Sequence, residues 1–87
     1  MYIVFLTEKA KKQMKRLPSR EQERIRKALP ALGEDPWKGK KMEGDLSGCY
    51  ALRVWPYRII YTIERQIVTV TVVAIGHRKD VYEKLRR

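Results

Sequence analysis

The first residues, MYIVFL, set Tyr2, Val4 and Leu6 against Ile3 and Phe5, and this β-branched alternation predicts a strand. Thr7 then stands where a helix N-cap belongs, with Glu8 in the first turn. In EKAKKQMKRL the apolar residues Ala10, Met14 and Leu17 fall at helical spacing, and Lys9, Lys11, Lys12, Lys15 and Arg16 form a basic back. Leu17-Pro18 stops this helix. Ser19, with Gln22 three residues on, has the spacing of a capping box and starts a second helix whose buried stripe is Ile25, Ala28, Leu29 and Leu32. Pro30 removes the hydrogen bond to the Arg26 carbonyl, so this helix either kinks or ends there. Two helices joined at Pro18 and Ser19 make an antiparallel hairpin.

From Gly33 to Gly48 the segment GEDPWKGKKMEGDLSG has no period and is rich in turn residues, which predicts a long loop. The remainder is β-rich. CYALRVW alternates Tyr50, Leu52 and Val54 against Ala51, Arg53 and Trp55. Pro56 marks a tight turn; YRIIYTI and IVTVTVVAI then complete a three-stranded meander, and Gly76 lets the chain turn out of it. HRKDVYEKLRR reads as a closing helix with Val81 and Leu85 facing the sheet. The order β-α-α-β-β-β-α predicts one α+β domain over residues 1–87. Its helical hairpin and C-terminal helix pack on one face of a twisted, mainly antiparallel sheet.

Charge changes the picture more than size does. Twenty Lys and Arg oppose ten Asp and Glu among 87 residues, a net charge of +10. Such a field favours polyanions: nucleic acid, the ribosome or an acidic protein. The single cysteine, Cys49, leaves no internal disulfide and fits a reducing cytoplasm. Tyr2–Leu6 is too short and lacks the basic leader of a signal peptide, and Ile67–Ile75 is about half of what a membrane helix needs. A soluble, cytoplasmic protein is expected.

One histidine and one cysteine cannot make a zinc site, and neither a P-loop nor a dinucleotide fingerprint is present. No metal or cofactor is expected. The chemistry left is that of arginine, lysine, tyrosine and His77, which suits phosphate esters. RNA brings its own nucleophile, the 2′-hydroxyl. A protein that cleaves it must hold the phosphate in line, stabilise the extra phosphoryl charge and move two protons. Arginine serves the first two tasks through bidentate, permanently charged contacts. His77 is the natural proton carrier, and Tyr82 takes the other proton if nearby arginines lower its pKa. Arg53, Arg58 and Arg78 are the candidate phosphate ligands, with Arg78 and Tyr82 four apart on one helical face. Against these uses stand ordinary ones: Arg53 and Arg58 as solvent-facing strand residues, Tyr82 as edge packing, His77 as a helix start. Lys38, Lys40 and Lys41 beside Trp37, and Lys11, Lys12 and Lys15 on the first helix, are the candidate nucleic-acid contacts.

Two phrases carry a resemblance. LSGCYALRVWPYRIIYTI followed by AIGHRKDVY is similar to the RelE branch of the RelE/ParE toxin superfamily, the toxin halves of bacterial and archaeal toxin–antitoxin pairs. The resemblance implies helices against a twisted antiparallel sheet and a metal-independent endoribonuclease. Such an enzyme enters the ribosomal A site and cuts mRNA there, leaving a 2′,3′-cyclic phosphate. It also implies that Arg58 and Arg78 hold the scissile phosphate, that Arg53 keeps the charge of a lysine found in related toxins, and that Tyr82 orients or stacks on the substrate. Ala51 departs from the pattern, standing where related toxins carry a catalytic lysine; His77, Lys40 or Lys41 is left to fill that role. The implied partners are the ribosome with its mRNA and an antitoxin with an acidic segment. Two other functions remain open: gyrase inhibition without nuclease activity, as in the ParE branch, and plain RNA binding.

Overall fold

The computed structural model describes residues 1–85, with the backbone alone for Lys84 and Leu85. Strand β1 (Ile3–Leu6) is followed by α1 (Glu8–Lys15) and α2 (Ser19–Glu34); β2 (Lys40–Lys41), β3 (Cys49–Val54), β4 (Tyr57–Glu64), β5 (Thr69–His77) and α3 (Val81–Leu85) come after. The five strands form one sheet in the order β1-β5-β4-β3-β2, with β1 parallel to β5 and the other pairs antiparallel. This is the expected α+β arrangement with one more strand than the meander predicted. The added strand comes from the segment read as a loop, which also holds two short 3-10 turns, Pro36–Lys38 and Gly44–Leu46. Two lysines between Gly39 and Met42 give no periodicity to read, so β2 is fixed by its partner β3.

Local chemistry sets the helix ends. The Thr7 hydroxyl accepts from the Ala10 N–H at 3.2 Å, as an N-cap should. The second cap is different: Pro18 is the N-cap of α2 and no side chain caps it. Gln22 instead turns back and donates its amide to the carbonyls of Leu17 at 2.8 Å and Lys15 at 3.2 Å, serving the end of α1. Pro30 does not stop α2, which runs on to Glu34. Pro30 and Arg26 are both exposed, so the carbonyl deprived of its donor lies on the solvent side.

The hairpin covers one face of the sheet. Ala10, Ile25 and Leu32 from the helices meet Ile59, Tyr61, Val70, Val72 and Ile75 from β4 and β5, all buried. Val72 and Ile75 share this face despite their odd spacing because Val73 is an extra residue in β5. Ile60 pairs with Ala74 while Tyr61 pairs with Val72. The Gln13 side chain of α1 accepts from the Ile75 N–H at 2.8 Å, locking the helix to the strand just past this bulge. On the opposite face a smaller core of Ile60, Ala74 and Val81 is edged by Met42, Cys49, Ala51, Val73 and Tyr82.

Helix α3 therefore packs on the face that the hairpin leaves open, and not beside it as the sequence suggests. Gly76 lies under α3: a Cβ there would meet the Val81 Cβ at 3.4 Å, at the edge of ordinary contact. Gly76 lies within β5 and does not turn the chain out of it. The contact expected of Leu85, and the helix expected over 86–87, lie outside the described residues.

One side chain ties the long connection to the core. The Tyr61 hydroxyl donates to the Pro36 carbonyl at 2.8 Å and accepts from the Gly39 N–H at 2.9 Å, while its ring stacks on Tyr50 at 5.6 Å. Gly39 has no room for a side chain: an added Cβ would collide with the Tyr61 hydroxyl and lie 2.8 Å from the Ala51 carbonyl. Burial pushes the Tyr61 phenol above its usual range; the Gly39 hydrogen bond opposes this, and Tyr50 and Asp35 add to it. The fold thus favours the protonated phenol. Its contribution is intact below the pKa of an ordinary tyrosine, about 10, and is lost as pH rises through the raised value. Tyr61→Phe leaves a buried carbonyl and N–H unpaired and should cost about 1–3 kcal/mol in urea unfolding at neutral pH. It should also flatten the alkaline fall in stability seen in the parent. Gly39→Ala should lower stability and disturb the same alkaline limb, because its Cβ displaces the Tyr61 hydroxyl.

Candidate active site

Strand alternation sorts the charged residues by face. On β3, Tyr50, Leu52 and Val54 pack toward the hairpin, while Cys49 and Ala51 pack with α3. Arg53 continues the second set. On β4, Ile59 belongs to the hairpin core and Ile60 to the α3 core, so Arg58 shares the face of α3 as well. Arg53 and Arg58 are direct cross-strand partners. Together with Tyr82, Lys38, Lys40 and Ala51 they line a cavity of about 410 Å³. A second hollow of about 500 Å³ adjoins it, sharing Lys40, Ala51 and Tyr82 and adding Lys41 and Glu43.

The electrostatics of this cavity are one-sided. Like charges placed directly across two strands repel. The three ion pairs described, Glu8–Lys11, Glu21–Arg24 and Glu23–Arg26, all lie on α1 and α2, and none reaches Arg53 or Arg58. The Arg58 Nη1 is buried and has no hydrogen-bond acceptor among the described residues. An unpaired buried donor of this kind costs about 1–3 kcal/mol, more when charged. A phosphate or other anion in the cavity would relieve both the repulsion and the unmet donor. Among the described residues no three His, Cys, Asp or Glu side chains come together, so guanidinium, ammonium and phenol groups supply the local chemistry.

Lys40 acquires a definite position. In the β2–β3 register it lies directly opposite Ala51, so the strand beside β3 brings an ammonium group next to the position that carries only a methyl. Tyr82, half-buried against the small core, forms the wall common to both hollows. Burial raises the pKa of the nearby Cys49 thiol, which keeps it protonated and unreactive at neutral pH.

Arg78 is at the same end of the sheet but not on a helix. It follows β5 in the turn before α3, so it shares no helical face with Tyr82. Its N–H donates to the Pro56 carbonyl at 2.9 Å, and its guanidinium carbon lies 4.6 Å from the centre of the Trp55 ring. Trp55 and Pro56 form the two-residue turn between β3 and β4, and their peptide bond is cis. The sequence placed Trp55 at the end of the alternating strand CYALRVW, two positions after Arg53, and gave it no functional role.

His77 stands apart from Arg53, Arg58 and Tyr82. As the last residue of β5 it pairs with Tyr57, and the two rings meet edge to face at 6.2 Å. Its side chain lies on the hairpin side, where a separate hollow of about 180 Å³ is lined by Gln13, Arg16, Tyr57, Ile75 and Asp80 among others. The His77 Nδ1 accepts from the Lys79 N–H at 3.3 Å. Lys11, Lys12 and Lys15 are exposed on α1, across the sheet from the arginine cavity, with Lys11 paired to Glu8 at 3.3 Å.

Comparison with known proteins agrees with this architecture. The family described as ParE toxin of type II toxin–antitoxin system, parDE, matches residues 4–82. Toxin RelG of Mycobacterium tuberculosis is 29% identical over 85 residues, covering 95% of this chain and 98% of that protein. Among solved structures, the toxin–antitoxin complex RelBE2 of M. tuberculosis superimposes with a TM-score of 0.83 at 28% identity, over 88% of this chain and 98% of the other. The isolated E. coli RelE toxin superimposes with a TM-score of 0.75 at 26% identity, over 99% and 96% of the two chains. The chain belongs to this ParE toxin family, within the RelE/ParE superfamily of type II toxin–antitoxin toxins.

Proposed function

We propose that this toxin is an endoribonuclease that cuts mRNA in the ribosomal A site, by attack of a ribose 2′-hydroxyl on the adjacent phosphate. The observation that carries this reading is the guanidinium pair, Arg53 and Arg58, uncompensated among the described residues, with the Arg58 Nη1 buried and without an acceptor there. Charge held ready where phosphoryl charge develops is the largest usual contribution to such catalysis. Arg58 and Arg53 hold the non-bridging oxygens, and Arg78 approaches from the end of β5. Lys40, protonated, donates to the leaving 5′-oxygen from the place opposite Ala51. Tyr82 orients the ribose at the wall of the cavity, and the 2′-hydroxyl proton passes to solvent. His77, facing the helical hairpin, holds the turn that carries Arg78 through its bond to the Lys79 N–H. Lys38 and Lys41 extend the positive rim, and Lys11, Lys12 and Lys15 add to the field that draws a polyanion to the protein.

The partners follow from the same surface. The related RelBE2 and E. coli RelBE structures are toxin–antitoxin complexes, and a net charge of +10 suits an antitoxin with an acidic segment. Ile3 and Phe5 of β1, 68% and 54% exposed, offer apolar anchorage on the half of the sheet that α3 does not cover. No helix among the described residues is long and apolar enough to cross a membrane, and the ribosomal target places the toxin in the cytoplasm.

The family's ParE name favours a second reading, inhibition of DNA gyrase. Loss of supercoiling activity with mRNA left intact would select it. For the nuclease reading, Arg78→Ala should relieve growth arrest and lower the single-turnover cleavage rate about 10²–10³-fold while the fold persists; full toxicity would remove Arg78 from the site. Lys40→Met should lower the same rate at least tenfold, whereas His77→Gln should leave the pH–rate profile unchanged. Disappearance of an ionisation near neutral pH in His77→Gln would return proton transfer to the histidine.

A further inference from the structure

The cavity explains how a phosphate is held; Trp55, in the turn two residues beyond Arg53, is a large aromatic residue that the phosphate chemistry does not use. Its side chain is outside both hydrophobic cores and is 54% exposed at the apex of the β3–β4 hairpin. It is not loose. The turn is tied to the segment after β5 by the Arg78 N–H on the Pro56 carbonyl, and the Arg78 guanidinium covers one side of the ring. A planar indole with a cation behind it has a second side facing outward. Trp55 also follows Arg53 by two residues, roughly 7 Å along an extended chain and close to the length of one extended nucleotide. A row of cations ending in an exposed, backed aromatic ring is how single-stranded nucleic acid is gripped: charges take the backbone and the ring takes a base.

We propose that Trp55 is a nucleobase-stacking residue, its open side receiving the base of the nucleotide next to the phosphate held by the arginines while Arg78 backs the ring. This rests on the RNA reading above and adds a subsite to it. The contact is sequence-tolerant, since every base presents a flat face, and it is lost when the base is removed although the charge remains. Arg78 gains a double use in this arrangement. Its guanidinium reaches for the phosphate and also backs the indole ring.

The test uses the full chain with Trp37→Phe, which leaves Trp55 as its one indole. At low salt the protein is titrated with an uncleavable 2′-O-methyl hexanucleotide and with an abasic hexamer of equal charge. Indole fluorescence should fall with the first and not with the second. By anisotropy, Trp55→Leu should weaken binding of the base-bearing oligonucleotide about tenfold. It should leave abasic binding and the salt slope as they were, and Trp55→Phe should recover most of the loss. Equal quenching by both oligomers would overturn the proposal. So would a Trp55→Leu protein that loses both affinities and about one unit of salt slope, because Trp55 would then only prop Arg78. Base-dependent quenching with mRNA uncut on ribosomes would uphold the stacking subsite and reject the nuclease reading.

Discussion

Arg58 lies on β4, the middle strand of five, with one guanidinium nitrogen withdrawn from water and no acceptor against it among the described residues. A fold this small has little stability to spare, and a buried donor left unmet is a costly thing to keep. What surrounds Arg58 sharpens the imbalance. Arg53 is placed directly across from it, Lys38 and Lys40 come in from the connection after α2, and the ion pairs described all lie on the two hairpin helices. The cavity thus gathers positive charge that the ion pairs of the described residues leave unmatched.

Two devices create that cavity. The first is unequal cover of the sheet. The hairpin packs over one face, while the other receives only a five-residue helix seated over Gly76, so the β3–β4 end stays open with its arginines. The second is the Tyr61 hydroxyl, which reaches out from the hairpin-side core and grips the backbone on both sides of Trp37 and Lys38. This fixes the point from which β2 begins and hence the pairing of Lys40 with Ala51. A core residue on one face in this way sets the position of a charged residue on the other.

Much of this was legible in the sequence, and what was not has physical reasons. Period-two alternation in CYALRVW and YRIIYTI was enough to bring Arg53 and Arg58 together, because a two-residue turn fixes the register of a hairpin. Thr7 and the stripe of Ile25 and Leu32 were equally plain. The side taken by His77 was hidden by the bulge at Val73: counting alternation from Val70 and Val72 puts Ile75 on the wrong face and His77 with it. The seat of α3 was hidden because a glycine leaves no pattern; Gly76 lies directly against Val81. Lys40 and Lys41 have no apolar alternation and became a strand only through β3. Gln22 had the spacing of a cap for α2, yet its amide found the nearer carbonyls at the end of α1.

The central claim is that Arg58 is held at a cost to the fold for the sake of an anion. Urea unfolding of the Arg58→Met protein tests this most directly, since methionine keeps the apolar stem and removes the guanidinium. The account predicts a rise in unfolding free energy of about 1 kcal/mol together with loss of mRNA cleavage. A fall of several kcal/mol would contradict it, because the guanidinium would then be a structural member of the fold.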